Sequence, residues 1–314
     1  MSPKQLLRRI SDRLFGTALD RAVRRMARDP RCSILFCWNR GLGDIALCLV
    51  PIFARIRRDV PQARIAVVTR PDLAEPFAMT DADDVREIAG LTRDAPIRID
   101  DIHARTGLDP RTFAAIFTYP DPNRWLSGRR TEFPPALSWD PQWDAFAERF
   151  VPAAPGTIMI GAHVDSETAR YYNYRKDWPP AAWRELFGRF DDRPEIRWLL
   201  FGSSPEPSYA SANIVDLRGR TGFLELASVI RNRCRVLIAP DSGVLTTAYY
   251  LAARFPLHVI SLWSDPRQGI LLQGCASPNP LLRHVPLVGR DELAANIPVD
   301  EVEAAVRAAL GRIA

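Results

Sequence analysis

Asp241, Ser242 and Gly243 stand together in IAPDSGVLTTAYYLA, between an apolar run ending at Pro240 and a helix-like segment. The first N–H groups of a helix point outward, and the helix dipole favours anions there. Hydroxyls at Ser242 and Thr246 would add donors. The plainer use of the same turn is that Asp241 or Ser242 caps the helix and Gly243 permits the turn. Two other segments share this polar character. LLFGSSPEP closes an apolar run with Gly202, Ser203, Ser204 and Glu206, and GAHVDSETARYYNYRKDWP carries His163, Arg175 and Lys176. A lysine offers phosphate a point charge and an arginine a planar fork. The three turns together describe a pocket for a phosphorylated ligand. His163 fits a hydrogen-bonded strand end equally well, and Tyr171, Tyr172, Tyr174 and Trp178 either line the pocket or pack.

A different chemistry belongs to NRGLGD near the start of the chain. Asn39, Gly41 and Gly43 lead to a carboxylate, Asp44. A Gly-x-Gly turn after an apolar run resembles part of a dinucleotide fingerprint, but a lone match is weak. Here an acid stands where the pyrophosphate would meet the helix, and an acid repels phosphate. The turn is better suited to aiming Asp44 at a substrate hydroxyl as a general base. A nucleotide-cofactor oxidoreductase is the rival reading, and the acid counts against it.

These residues need elements to hold them. SILFCW reads as a buried strand, and DIALCLVPIFARIRRDVP as a helix with an irregularity at Pro51. ARIAVVTR and TFAAIFTYP read as strands, with VREIAG leading toward another. After a loose, proline-containing stretch around residues 120–156, a second alternation begins. TIMIGAHV, IRWLLFGSS, CRVLIAPD and PLHVISLW read as strands. WPPAAWRELFGRF, TGFLELASVIRNR (capped by Thr221), SGVLTTAYYLAARF and VDEVEAAVRAALGRIA read as helices. Strand–helix alternation with continuous apolar strands implies parallel sheets covered on both faces. The expected division is a basic amphipathic helix within residues 1–31, an α/β domain over 32–151, a linker at 152–156 and a second α/β domain over 157–314.

The 314 residues, 47% of them hydrophobic, suffice for two cores. The formal charge of +5 suits an anionic partner without choosing one. No nucleic-acid module accompanies it, so nucleic acid is not expected as a partner. Five dispersed cysteines without a CxxC pair, and four histidines, give no sign of a metal site. No secretory signal or membrane span is legible, which implies a cytoplasmic protein. Arg8, Arg9, Arg13, Arg21, Arg24, Arg25 and Arg28 line an N-terminal helix that would either touch an anionic membrane at its inner face or pack on its own protein.

The ordered set RGLGDIALCLVPIFARIRRDVPQARIAVVTRP, KDWP, LLFGSSPE and IVDLRGRTGFLELASVIRNRCRVLIAPDSG resembles the family 9 glycosyltransferases, the ADP-heptose:lipopolysaccharide heptosyltransferase type. The resemblance covers most of residues 32–314. It implies a GT-B fold, two Rossmann-like domains with parallel sheets facing across a cleft, and an inverting transfer without a required metal or other cofactor. The acceptor, a saccharide or lipid-linked hydroxyl, would meet the first domain. A nucleotide diphosphate-sugar, with an ADP-sugar as one candidate, would meet the second. Asp44 falls on the family's proposed base and Lys176 on its phosphate-binding lysine. Asp241, Ser242 and Gly243 fall on the turn beside diphosphate and sugar, and Glu206 on a nucleoside-side glutamate. Asn39, Gly41, Gly43, His163 and Arg175 would contact substrate, and Ser203 and Thr246 the donor. Thr246 departs from the family's usual histidine and cannot carry imidazolium charge. That departure keeps a catalytically weak or inactive nucleotide-binding scaffold as the alternative. Arg124, Arg129 and Arg130 would meet acceptor phosphates or form a solvated cluster.

Overall fold

The computed structural model describes residues 15–28, 33–166, 171 and 176–313. The chain divides into two compact units, Met1–Pro135 and Ala136–Ala314.

The first unit is built on a four-stranded sheet, β1 (Ser33–Trp38), β2 (Arg64–Thr69), β3 (Asp84–Glu87) and β4 (Phe113–Phe117), in the order β3-β2-β1-β4. All pairings are parallel. Strand order reverses between β1 and β4, and Asn39–Asp44 follows β1 there. The stretch after Asp44 begins as a π turn, Ile45–Leu49, in which Val50 N–H reaches back to Ile45 O. Pro51, with no N–H to donate, sits at the start of the α-helix Val50–Asp59 that follows.

The described part of the N-terminal segment forms a helix, Ala18–Met26, closed at its start by a Thr17–Asp20 capping box. Leu19, Ala22, Val23 and Met26 are buried in the first unit's own core beside Phe36, Phe53 and Trp125. The apolar face of this helix is therefore spent on packing. Residues 1–14, with Arg8, Arg9 and Arg13, lie outside the described residues.

Asp20 also accepts from Arg55, whose side chain is nearly buried. Burial pushes the Asp20 carboxyl up. Hydrogen bonds from Arg55 and Thr17 outweigh it and hold the group below its ordinary 3.8. A carboxyl depressed in the folded state stabilises above its unfolded pKa and loses that contribution as pH falls through the folded one. Asp20→Asn is expected to cost about 2 kcal/mol in urea unfolding at pH 7. The gap to wild type should close as pH drops below about 4; a gap constant from pH 7 to 3 contradicts this.

The second unit carries six strands: β5 (Ile158–His163), β6 (Ile196–Phe201), β7 (Ile214–Asp216), β8 (Cys234–Pro240), β9 (Leu257–Trp263) and β10 (Leu282–Val288). Their order is β10-β9-β8-β5-β6-β7, again all parallel. The order reverses between β5 and β8. Both strands read as continuous apolar runs because both faces are covered. The core on one side stacks Trp178, Trp183, Phe187 and Trp198 under helix Val299–Leu310. Trp178 belongs wholly to this core, with its Nε1 donating to Ile297 O at 2.9 Å.

Residues 136–151 pack with the second unit, so the division falls ahead of the expected 152–156 linker. Leu137 exchanges backbone hydrogen bonds with Tyr250 and Ala252. Ala147 N–H donates to the buried Ser228 Oγ at 3.1 Å, and Arg233 Nε donates to Val151 O at 2.6 Å. Asp144 accepts from Trp139, Arg231 and Asn232. Helix Phe223–Arg233 supplies most of these partners. Its N-cap is Gly222, not Thr221, and Glu225 Oε2 accepts from Gly222 N–H at 2.8 Å.

Candidate active site

In the second unit the strand-order reversal places the end of β8 beside the end of β5, the usual position for a ligand in an open parallel sheet. Asp241 leaves β8 with its N–H donated to Leu262 O at 3.2 Å. Ser242 is the N-cap of helix Gly243–Tyr250, its Oγ accepting from Leu245 N–H at 3.2 Å. The cap leaves the N–H groups of Gly243 and Val244 as the outward donors of the first turn. The Asp241 carboxylate forms a nearly buried ion pair with Lys176 Nζ. An anion binding at this helix start would share Lys176 with Asp241. The carboxylate fixes the ammonium beside the helix start and offsets part of its attraction for phosphate.

Thr246 is 1% exposed, and its Oγ1 donates to Ser242 O at 2.9 Å. Its proton is committed within the helix, so Thr246 supplies no donor to a ligand in this arrangement. Gly269 closes the other side of the site. A Cβ there would lie 2.6 Å from Asp241 Oδ1 and 2.7 Å from the Trp263 ring, and its φ of +49° suits glycine. Sequence reading missed this residue; the QG following β9 was its only signal.

His163 ends β5 and is buried, and burial pushes its imidazole down to about 4. It is therefore neutral at pH 7, and its Nδ1 meets no hydrogen-bond partner among the described residues. Ser203 and Glu206 lie exposed in the loop after β6. Tyr171 is exposed; Arg175, Tyr172 and Tyr174 fall outside the described residues.

In the first unit the carboxylate of Asp44 is exposed, where the chain turns from β1 into the π turn. At Gly41 a Cβ would lie 2.8 Å from Asp44 Oδ2 and 3.6 Å from Arg93 Nη2. The carboxylate and the Arg93 guanidinium thus flank one bare Cα. Asn39 is buried, and its Nδ2 donates to Thr92 O at 2.9 Å and Ala95 O at 2.8 Å. Its amide hydrogens hold the turn that carries Arg93 rather than pointing at a substrate. Arg40 donates to Pro120 O at 2.5 Å and lies over the rings of Trp38 and Tyr119. The Cys48 thiol, pushed up to about 12 by burial, senses Asp44 as well as Arg130 and Arg40. Asp44 therefore stands in basic surroundings that Arg93, a residue the sequence reading passed over, helps to make. Among the other arginines, Arg130 binds Asn123 Oδ1 at 2.8 Å and Arg129 lies 3.9 Å from Asp20.

Among the described residues no cluster of three His, Cys, Asp or Glu side chains stands ready to hold a metal ion, and no helix is long and apolar enough to cross a membrane.

Two Rossmann-like units with parallel sheets make this a GT-B fold, in the form seen in family 9 glycosyltransferases. A family 9 glycosyl transferase from Veillonella parvula superposes with a TM-score of 0.62 at 14% identity, over 90% of this chain and 98% of its own. The ADP-heptose lipopolysaccharide heptosyltransferase II of Escherichia coli gives 0.58 at 16% identity, over 89% and 99%. The dodecameric iron-containing heptosyltransferase TibC from enterotoxigenic E. coli, in complex with ADP-D-β-D-heptose, gives 0.52 at 12% identity, over 91% and 77%. No protein-family model matches the chain, and no curated protein matches it in sequence.

Proposed function

We propose that the chain is a glycosyltransferase that moves a sugar from a nucleoside diphosphate donor to a hydroxyl of a saccharide or glycolipid. The observation that carries this reading is the Lys176–Asp241 pair beside the Ser242–Gly243 helix start, at the strand-order reversal of the second unit. A fixed cation next to outward N–H groups is a place for a diphosphate. The GT-B fold shared with solved heptosyltransferases supports the same reading.

In this reading the acceptor hydroxyl gives its proton to the Asp44 carboxylate as its oxygen attacks the anomeric carbon. The bond from that carbon to the diphosphate oxygen breaks, and its electron pair leaves with the diphosphate. Lys176 and the N–H groups of Gly243 and Val244 meet the charge that gathers there. No covalent nucleophile is invoked, so one displacement occurs, with inversion. Ser203 and Glu206 sit toward the nucleoside, and Asp241 beside diphosphate and sugar. A heptose is the first sugar to test, because two of the similar solved proteins are described with ADP-heptose.

The commitment of the Thr246 proton to Ser242 O favours one alternative, a nucleotide-binding scaffold with weak or no transfer. Incubation with a panel of nucleoside diphosphate-sugars, ADP-D-β-D-heptose included, and candidate saccharide acceptors separates the two by mass spectrometry. A glycosylated product with released nucleoside diphosphate is expected. Tight nucleotide binding with no product from any pair supports the scaffold instead.

The helix Ala18–Met26 spends its apolar face on the first unit's core, which favours packing on its own protein over membrane contact for the basic N-terminal segment. If the segment does touch an anionic membrane, deleting residues 1–14 should reduce co-sedimentation with anionic liposomes. Equal sedimentation of the two proteins dismisses the contact.

A further inference from the structure

The Ser203–Pro207 stretch of the loop between β6 and β7 is held at both ends by side chains that no step above uses. At its start, Asp165 Oδ1 accepts from Ser203 N–H at 3.2 Å. Asp165 follows β5, so this bond ties the end of one strand to the loop of its neighbour. Gly202 makes the approach possible: a Cβ there would lie 1.8 Å from Asp165 Oδ1, far inside contact distance. Gly202 O also accepts from Gly219 N–H at 3.0 Å. At the far end, the buried Arg218 side chain donates to Pro207 O at 2.9 Å. Arg218 is itself gripped by both oxygens of Asp216 and lies under the Tyr209 ring. The exposed Ser203 and Glu206 are therefore carried on a braced loop.

The spacing gives the loop a purpose. β6 pairs with β5, and β5 pairs with β8, so the loop after β6 lies two strands from the Asp241–Ser242 turn after β8. Two strand separations are about 10 Å. That is the reach of a nucleoside extended from its diphosphate. We propose that Asp165 is a positioning residue that fixes the Ser203–Pro207 loop as the nucleoside end of the donor site. The inference rests on the donor-site reading above. Asp165 acts through the loop backbone, where its oxygen accepts from Ser203 N–H, and its charge also acts on the Arg218 guanidinium.

Calorimetric titration of the full chain with ADP and other nucleoside diphosphates, and with inorganic pyrophosphate, tests it. Asp165→Ala should weaken nucleoside diphosphate binding about tenfold while pyrophosphate affinity stays the same. Asp165→Asn keeps an acceptor oxygen and should bind more tightly than Asp165→Ala. Gly202→Ala pushes the carboxylate off Ser203 and should lose at least as much nucleoside diphosphate affinity as Asp165→Ala. Should Asp165→Ala fail to fold, Gly202→Ala carries the same comparison. Undiminished nucleoside diphosphate binding in both variants, or equal loss of both ligands, overturns the inference. If the wild type binds pyrophosphate but no nucleoside diphosphate, the donor-site reading itself fails, and the inference with it.

Discussion

Asp44→Asn is expected to lower sugar transfer by about two to four orders of magnitude while leaving nucleoside diphosphate affinity nearly unchanged. The substitution keeps the shape of the side chain and removes the proton acceptor. Its surroundings favour this outcome over a structural one. Asp44 is exposed at the end of β1, makes no side-chain cap to the π turn, and stands next to a glycine that leaves room for its oxygen. Steady-state transfer kinetics alongside calorimetry check the split. Transfer at the wild-type rate removes Asp44 from the role of base, and a parallel loss of nucleotide affinity shows that the change reached beyond it.

Lys176→Met is expected to weaken nucleoside diphosphate binding about 30-fold, or roughly 2 kcal/mol. Two effects act in the same direction. The ammonium that faces the diphosphate is gone, and Asp241 is left as an uncompensated carboxylate in a nearly buried position. Asp241→Asn is expected to act differently on diphosphate, since it removes one charged competitor for Lys176. ADP affinity is expected to hold or rise in that variant while transfer falls. Calorimetry on the two variants decides the matter: equal affinities in Lys176→Met and wild type contradict a phosphate role for the lysine.

Much of the fold is legible in the sequence because parallel strands buried on both faces read as unbroken apolar runs. TIMIGAHV, IRWLLF and CRVLIAP all become strands of the second sheet. β10 escapes such reading: it lies at the sheet edge, alternates exposed residues and contains Pro286, which suits an edge and weakens the strand signal. The unit boundary escapes for another reason. VPAAPG has the composition of a linker, whereas the anchors of residues 136–151 are partners some eighty residues later in the chain, such as Ser228 and Arg231.

The candidate site divides in the same way. Asp44, Lys176 and the Asp241–Gly243 turn announce themselves by residue type at strand ends. Asn39 reads as a substrate contact but faces the 92–95 turn, a contact that only the folded chain creates. Arg93 and Asp165 owe their importance to neighbours distant in the chain, and no local pattern marks them. Thr246 is visible as a departure from the family pattern; its commitment to Ser242 O depends on helix geometry.

The central claim, a sugar-nucleotide transferase, is tested most directly by titrating the full chain with ADP, UDP, GDP and CDP and then supplying the sugar form of whichever binds together with a panel of saccharide and glycolipid acceptors. The account predicts saturable binding of at least one nucleoside diphosphate, weakened by Lys176→Met, and release of that nucleoside diphosphate from its sugar conjugate only while Asp44 is intact. Binding of none of the four, or release that is indifferent to both residues, would contradict it.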